Sequence, residues 1–385
     1  MDRSTTTIDF VEKNNSIILG IVLILNFVVG AINDYLSISN LFPIGMLGLG
    51  ILAIVNNVIY GKVGLRISVP IFIFTLLFLF QICISVVYVS SDITLFYVLC
   101  FFTIGLPSIY IATRKNNINY VRHTVILVAA FCFLHFFNIL TLEYTVYTAA
   151  EQMGNAYSLL IIFFISIWTL LDTKDKFFWK ILAGLECTMC LLILLKVMTR
   201  GAWVCIAVFL FFLVWKKTKK NFKLYLLLLP IVLLATVFFV VPYFVESNLY
   251  YNLFYMKSGD IMNGRNELYN MSTSSLNVLE VLFGAGIGSF YNKYQTYPHN
   301  IILQLFHDQG IVSLFVIMYI CIKSLNGLVD GFFNSNQRDY LTILVVCAGI
   351  VKLMLSSYFW IEQLFWIAIG LLLSRRKTGG VIQHE

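Results

Sequence analysis

Apolar residues run along this chain in stretches of about 17 to 23, separated by polar joints. About 20 apolar residues wound as a helix cross the roughly 30 Å of hydrocarbon in a bilayer. The pattern predicts twelve spans, at approximately 16–32, 41–59, 67–89, 93–112, 123–140, 155–171, 177–198, 201–215, 222–245, 299–322, 340–356 and 358–374. Backbone N–H and C=O groups in lipid must find partners within their own segment, so these are helices and not open strands. The expected fold is therefore all-α: a polytopic membrane protein of about 12 transmembrane helices, with 1–385 forming a single membrane domain.

Two polar joints stand out. The longer is 246–298, and 141–154, with Glu143, Glu151 and Gln152, is a second of some size. The first apolar run begins near Ser16, after Arg3 and Lys13. It is too long for a typical signal h-region and lacks a clear A-x-A site, so it reads as an uncleaved first span.

Composition agrees with the pattern. The chain is 60% hydrophobic and 12% charged, whereas soluble domains carry about 25% charged residues. The net charge of +7 is spread over loops, which argues against a nucleic-acid surface. If the loops are numbered alternately from the N-terminus, all but six of the 26 basic residues fall on the N-terminal side. Basic residues are retained on the cytoplasmic face. Both termini are then cytoplasmic, and 141–154 and 246–298 are outer loops. The cysteines lie in apolar runs, so no disulfide framework is expected, and Cys187-x-x-Cys190 lies inside a span as small apolar filler.

The six basic residues on the depleted side, Lys196, Arg200, Lys257, Arg265, Lys293 and Lys352, need a reason. Arg200 sits in Thr199-Arg200-Gly201-Ala202-Trp203, and Lys196 lies one helical turn earlier. The guanidinium fork suits a pyrophosphate, since it bonds two oxygens at once and stays ionised. Snorkelling to headgroups explains Arg200 equally well. Arg265 follows Gly264, which permits close approach of a ligand; a solvated loop arginine is the plainer reading. His299, between Pro298 and Asn300, could take a proton from a hydroxyl near neutral pH, or simply lie at the interface. Asp308 could orient a histidine, but is expected to cap the helix that begins at Gly310, with 299–309 forming an interfacial helix before it. Gly284-Ala285-Gly286-Ile287-Gly288 reads as a flexible turn, because no strand–helix unit surrounds it. Aromatics such as Tyr269 and Tyr297 fit an interface belt, or faces on which sugars stack. Intramembrane His135, Glu186 and Glu362 are costly, and so are candidates for function or for pairing inside the bundle. There is no H-E-x-x-H and no outer D-x-D, so metal-dependent chemistry has no support in the sequence.

Taken together these segments resemble the O-antigen ligase and O-antigen or capsule polymerase superfamily, over approximately 150–325. Met153-Gly154-Asn155-Ala156 is similar to its Gly-Asn turn, and Thr199-Arg200-Gly201 to its [ST]-R-[GA] motif. Gly264-Arg265 with Glu267-Leu268-Tyr269 resembles its G-R-x-x-[LM]-[WY] motif. Leu282 to Phe290 resembles its L-[FL]-G-x-G-x-G-x-F turn. His299-Asn300, Leu303-Gln304 and Asp308-Gln309-Gly310-Ile311 resemble its H-N-x-x-L-Q-x-x-x-[ED]-x-G-[IL] motif.

The resemblance implies a metal-independent, inverting glycosyltransferase with a GT-C-like fold and no cofactor, in the inner membrane of a bacterium. Its donor would be an undecaprenyl-pyrophosphate-linked glycan on the outer leaflet. Its other partners would be an acceptor glycan or lipid and a chain-length regulator. It further implies that Arg200 and Arg265 hold the pyrophosphate and that His299 is the general base. Lys196, Gly264, Asn300 and Tyr269 would contact substrate, Lys196 on grounds of position alone. Polymerisation of repeat units is the preferred activity, with ligation of finished polymer to lipid A–core as the alternative. A lipid-linked oligosaccharide flippase is the reading from another class. It would need charge in both halves of a central cavity and repeat symmetry, and neither is visible here.

Overall fold

The computed structural model describes residues 3–36, 41–60, 69–141, 149–197, 199–217, 265–274, 276–333, 336–355 and 359–374. The predicted span 222–245, the 246–264 part of the outer loop and the 142–148 part of the 141–154 segment lie outside the described residues.

Within the described residues the chain is helical. The helices are α1 (Arg3–Leu23), α2 (Leu25–Leu36), α3 (Leu41–Val55), α4 (Val69–Tyr88), α5 (Ser91–Cys100), α6 (Leu106–Thr113), α7 (Ile118–Thr141) and α8 (Ala149–Leu171). Then follow α9 (Phe177–Val197), α10 (Arg200–Lys217), α11 (Arg265–Ser274), α12 (Val278–Phe283), α13 (Ser289–Tyr294), α14 (Ile301–Phe333), α15 (Gln337–Val346) and α16 (Gln363–Leu373). Wider π-type turns continue α3 at Asn56–Tyr60, link α5 to α6 at Phe101–Gly105, and continue α15 at Cys347–Val351.

Leu41–Tyr60, Asp92–Thr113, Phe177–Leu195 and Ile301–Tyr319 are long and apolar enough to cross a membrane. Shorter apolar helices lie at Phe78–Val87, Ile118–Phe133, Ala156–Leu171, Gly201–Lys216 and Gln363–Leu373. Large apolar side chains point outward on several of them, among them Ile51, Val86, Val87, Phe131 and Leu185. So much apolar surface suits lipid, since water-exposed apolar patches this extensive are rare.

Two packed clusters hold the bundle. The larger joins Leu19 and Val22 of α1, Val125 of α7, Phe164 of α8, Leu194 of α9, Phe209 of α10, Leu344 of α15 and Ala368 of α16. The smaller joins Phe78, Tyr97, Phe101, Ile287, Ile301, Leu305, Trp360 and Trp366. Helix association in lipid rests on such close packing and on polar contacts, because lipid tails are as apolar as leucine.

Polar contacts gather at one end of the bundle. Asn15 and Asn57 exchange amide hydrogen bonds of 3.1 and 2.9 Å, and Asn56 donates to Asn15 at 2.9 Å and to the Val11 carbonyl at 3.0 Å. Ser16 Oγ accepts from the Asn117 N–H at 2.7 Å. These partners explain why α1 starts at Arg3 when the apolar pattern predicted a start near 16: Asn14 and Asn15 are satisfied by the turn that continues α3, and Ser16 by the loop before α7. At the same end Arg122 is buried between Asp172 and Asp175, each at 3.0 Å, with its guanidinium 4.5 Å from the centre of the Trp168 ring. His123 stacks on Trp179 at 4.1 Å and reaches Asp175 at 3.2 Å. α14 extends beyond the predicted 322 to Phe333, because Leu328 and Phe332 are buried there and Phe332 stacks on Tyr340.

Candidate active site

The 282–310 segment folds as one unit at the opposite end. α12 opens with a capping box: the Asn277 side chain accepts from the Glu280 N–H, and Glu280 accepts from the Asn277 N–H. The chain then leaves α12 through the glycine loop and returns along α14. The Ala285 N–H donates to the His307 carbonyl at 2.9 Å, and the Gly286 N–H to the Asp308 carbonyl at 3.1 Å. The buried Asp308 carboxylate accepts from the Gly288 N–H (3.2 Å), the Phe290 N–H (3.3 Å) and the Ser289 hydroxyl (3.1 Å). His307 Nδ1 lies 3.1 Å from Ser289 Oγ.

Asp308 therefore does not cap the helix that follows it, as the sequence suggested. It holds the start of α13 from across the loop, because the N–H groups of 288 and 290 have no earlier helical carbonyl to bond. Nor is the glycine run a flexible turn. α4 pins it from the other side: Gln81 Nε2 donates to the carbonyls of Phe283 (2.7 Å) and Gln309 (3.1 Å), and Ser85 Oγ accepts from the Ile287 N–H. Gln81 and Ser85 were missed in the sequence. Their signal was two polar residues one turn apart in an otherwise apolar run.

The crossing is too tight for any side chain. Gly284 and Gly310 both have positive φ, at 86° and 73°, and a Cβ built on Gly310 falls 2.4 Å from the Gly284 nitrogen. Gly310 also breaks α14 into 301–309 and a continuing helix, so the expected discontinuity falls where the motif places it.

His299 sits on this platform. Its φ of 52° is left-handed, which few residues other than glycine adopt, and such conformations persist only where the surroundings fix them. Its ring lies 4.2 Å from that of Tyr297. The Asn300 side-chain oxygen accepts from the N–H groups of Ile302 (2.9 Å) and Leu303 (3.3 Å), so Asn300 caps α14 and fixes the turn that presents His299.

Arg265 is the first residue of α11, which packs against α14, and the partly buried Tyr269 lies one turn on. Arg200 is the first residue of α10, and Lys196 lies in the last turn of α9. The side chains of Lys196, Arg200 and Arg265, and the whole of Gly264, lie outside the described residues. Gly201 is seated against α8: a Cβ there would fall 1.8 Å from Tyr157 Oη. The structure thus brings the 282–288 and 299–310 motifs together and lays the Arg265 helix against them. It seats the 199–203 turn on α8.

Of the intramembrane candidates, Glu186 accepts from Ser166 Oγ at 3.0 Å, Glu362 is paired with Lys352, and the side chain of His135 lies outside the described residues.

A multi-pass helical membrane protein with a closely packed, hydrogen-bonded glycine-loop platform under one histidine is the class that the fold and the site define. A family model described as O-antigen ligase matches residues 185–318, roughly a third of the chain. It covers the Arg200, Arg265, glycine-loop and His299 motifs and begins after the Gly154–Asn155 turn. The match supports the O-antigen ligase and polymerase superfamily for this chain. No curated protein and no solved structure matches it.

Proposed function

We propose that the chain is a glycosyltransferase that polymerises undecaprenyl-pyrophosphate-linked oligosaccharide repeat units, O-antigen or capsule, on the outer leaflet of the bacterial inner membrane. The observation that carries this reading is the 282–310 platform. It holds a strained, capped histidine at the end of the bundle away from the paired arginine and aspartates, within the segment matched by the O-antigen ligase model. The basic residues of the described loops concentrate at the other end, which supports facing that end to the cytoplasm and the platform outward. The twelve-span count, the GT-C-like architecture and cytoplasmic termini belong to the same proposal.

In this reading His299 takes the proton from the acceptor hydroxyl as that oxygen attacks the anomeric carbon, and the lipid pyrophosphate leaves with inversion. Arg200 and Arg265, at the starts of two helices, neutralise the charge that grows on the leaving group, with Lys196 as a further cation. Gly264 lets the backbone approach the substrate. Tyr269 offers a ring face to a sugar, and the Asn300 amide nitrogen is left for substrate while its oxygen caps α14. No metal is required, and a chain-length regulator would act from outside the chain.

Ligation to lipid A–core is the second reading, favoured by the description of the matching family model. The test is expression of His299→Ala at wild-type level in cells deleted for the protein. Long-chain glycan should disappear while lipid-linked single repeats accumulate on the outer face. Unchanged polymer would overturn the assignment. Lipid-linked polymer that forms normally but never reaches lipid A–core would select ligation.

A further inference from the structure

A cavity of about 490 Å³ opens between α2, α3, α5, α8 and the start of α16, and Tyr157 is among its lining residues. Phe27, Phe42 and Phe96 supply apolar wall, and Gly154 of the Gly-Asn turn lies on its rim. Its polar lining includes Lys352, Glu362 and Gln363, which are 9%, 2% and 1% exposed.

Lys352 follows the π-type turn Cys347–Val351 and is ion-paired with Glu362 Oε2. Such turns widen a helix and recur where a side chain is re-aimed for function. Glu362 occupies the N-cap position of α16, yet its side chain makes no capping bond and turns to Lys352 instead. The Lys352 ammonium also lies 5.1 Å from the centre of the Tyr157 ring, and the hydroxyl of that tyrosine abuts Gly201. Tyr157 therefore bridges the buried ion pair and the Arg200-Gly201 motif.

The pair is not saturated. Glu362 Oε1 and Gln363 Oε1 are buried acceptors without a hydrogen-bond partner among the described residues, although both residues line the cavity. Leaving a buried acceptor unmade costs about 1–3 kcal/mol, more when it is charged. A buried ion pair of this kind rarely adds stability over apolar residues of the same size. Two open acceptors beside one ammonium call for a ligand that donates hydrogen bonds and also accepts one. A phosphate supplies acceptors alone and would be repelled by Glu362. A sugar ring supplies both, and its apolar faces suit the aromatic wall.

We propose that Lys352, Glu362 and Gln363 form a glycan subsite, in which Glu362 and Gln363 accept from sugar hydroxyls and Lys352 donates to a sugar oxygen. The identity of the sugar as part of the lipid-linked glycan rests on the function proposed above. These are binding and positioning residues, with no bond made or broken on them.

The test uses the full chain in nanodiscs and two probes: the lipid-linked repeat unit isolated from the producing cells, and undecaprenyl pyrophosphate bearing no sugar. Wild type should bind the first about tenfold or more tighter than the second, the size of one good buried hydrogen bond. Gln363→Leu, which leaves the ion pair in place, should lose most of that preference and keep its affinity for the bare lipid. Lys352→Met with Glu362→Leu, which removes both charges together, should do the same and stay folded, as affinity for the bare lipid reports. Wild type without preference for the sugar, or either folded variant retaining it, overturns the subsite. Sugar preference in wild type without glycosyl transfer would instead sink the proposed function and leave the subsite standing.

Discussion

Gly310→Ala is the sharpest perturbation that the platform offers. The added Cβ would lie 2.4 Å from the Gly284 nitrogen and 2.5 Å from the Leu282 carbonyl oxygen. These are backbone atoms and cannot rotate away, so the two segments must part by more than about 1 Å to regain van der Waals distance. The backbone itself, at φ 73° and ψ 176°, lies in a region reserved for glycine, which costs an alanine about 1–3 kcal/mol. Overpacking adds about 1–3 kcal/mol. The expected loss is therefore about 2 to 6 kcal/mol, unless the platform opens and gives up the Ala285–His307 and Gly286–Asp308 backbone bonds instead. Gly284→Ala meets the same crossing from its other side, at 2.4 Å from the Asp308 carbonyl oxygen. Once one alanine has parted the segments the second finds room. The double variant should thus fall short of additivity by at least about 1 kcal/mol. The assay is thermal unfolding in detergent followed by intrinsic fluorescence, with Gly48→Ala as control. Nothing lies within 4 Å of a Cβ at Gly48, so that change should be neutral or slightly stabilising. Gly310→Ala that melts with wild type, or a strictly additive double variant, would refute the crossing.

Further outcomes follow from the same contacts. Asp308→Ala leaves the N–H groups of Gly288 and Phe290 without their acceptor, so amide hydrogen exchange at 285–290 should quicken by at least about tenfold, while helices at the far end stay protected. Arg122→Met strands two carboxylates in the bundle and should cost about 3–5 kcal/mol. Adding Asp172→Asn and Asp175→Asn should recover much of that loss in the same melt, and failure to recover would show that the guanidinium acts through packing on Trp168 alone.

The apolar pattern made most helices legible. Each predicted span that falls on described residues carries a helix, since the length of a hydrophobic run is set by the bilayer itself. The ends were less legible. α1 begins well before its apolar run because Asn14, Asn15 and Ser16 find partners on other segments of the chain, and no local rule reports those partners.

At the candidate site, motif order picked out the glycine loop, His299 and the arginines as candidates, and of these the structure describes the loop and His299 in full but not the side chains of Arg200 and Arg265. What those residues do structurally stayed hidden. Asp308 read as a cap for the helix after it, but it holds α13 across a loop, and Gln81 and Ser85 reach that loop from more than 200 residues away in sequence. Long-range polar pairing leaves no period in a sequence. The Lys352–Glu362 pair was half visible for the same reason. Each residue stood out as a charge in an apolar run, and only the fold joins them.

The most direct test of the account is glycosyl transfer by the purified chain in liposomes, supplied with its own lipid-linked repeat unit and no other acceptor. A ladder of lengths still attached to undecaprenyl pyrophosphate is the predicted result. His299→Ala, folded and present in equal amount, should lower that rate by about 10²- to 10⁴-fold, the usual contribution of a general base. An undiminished ladder from His299→Ala would remove the histidine from the chemistry. No ladder from folded wild type would contradict polymerisation.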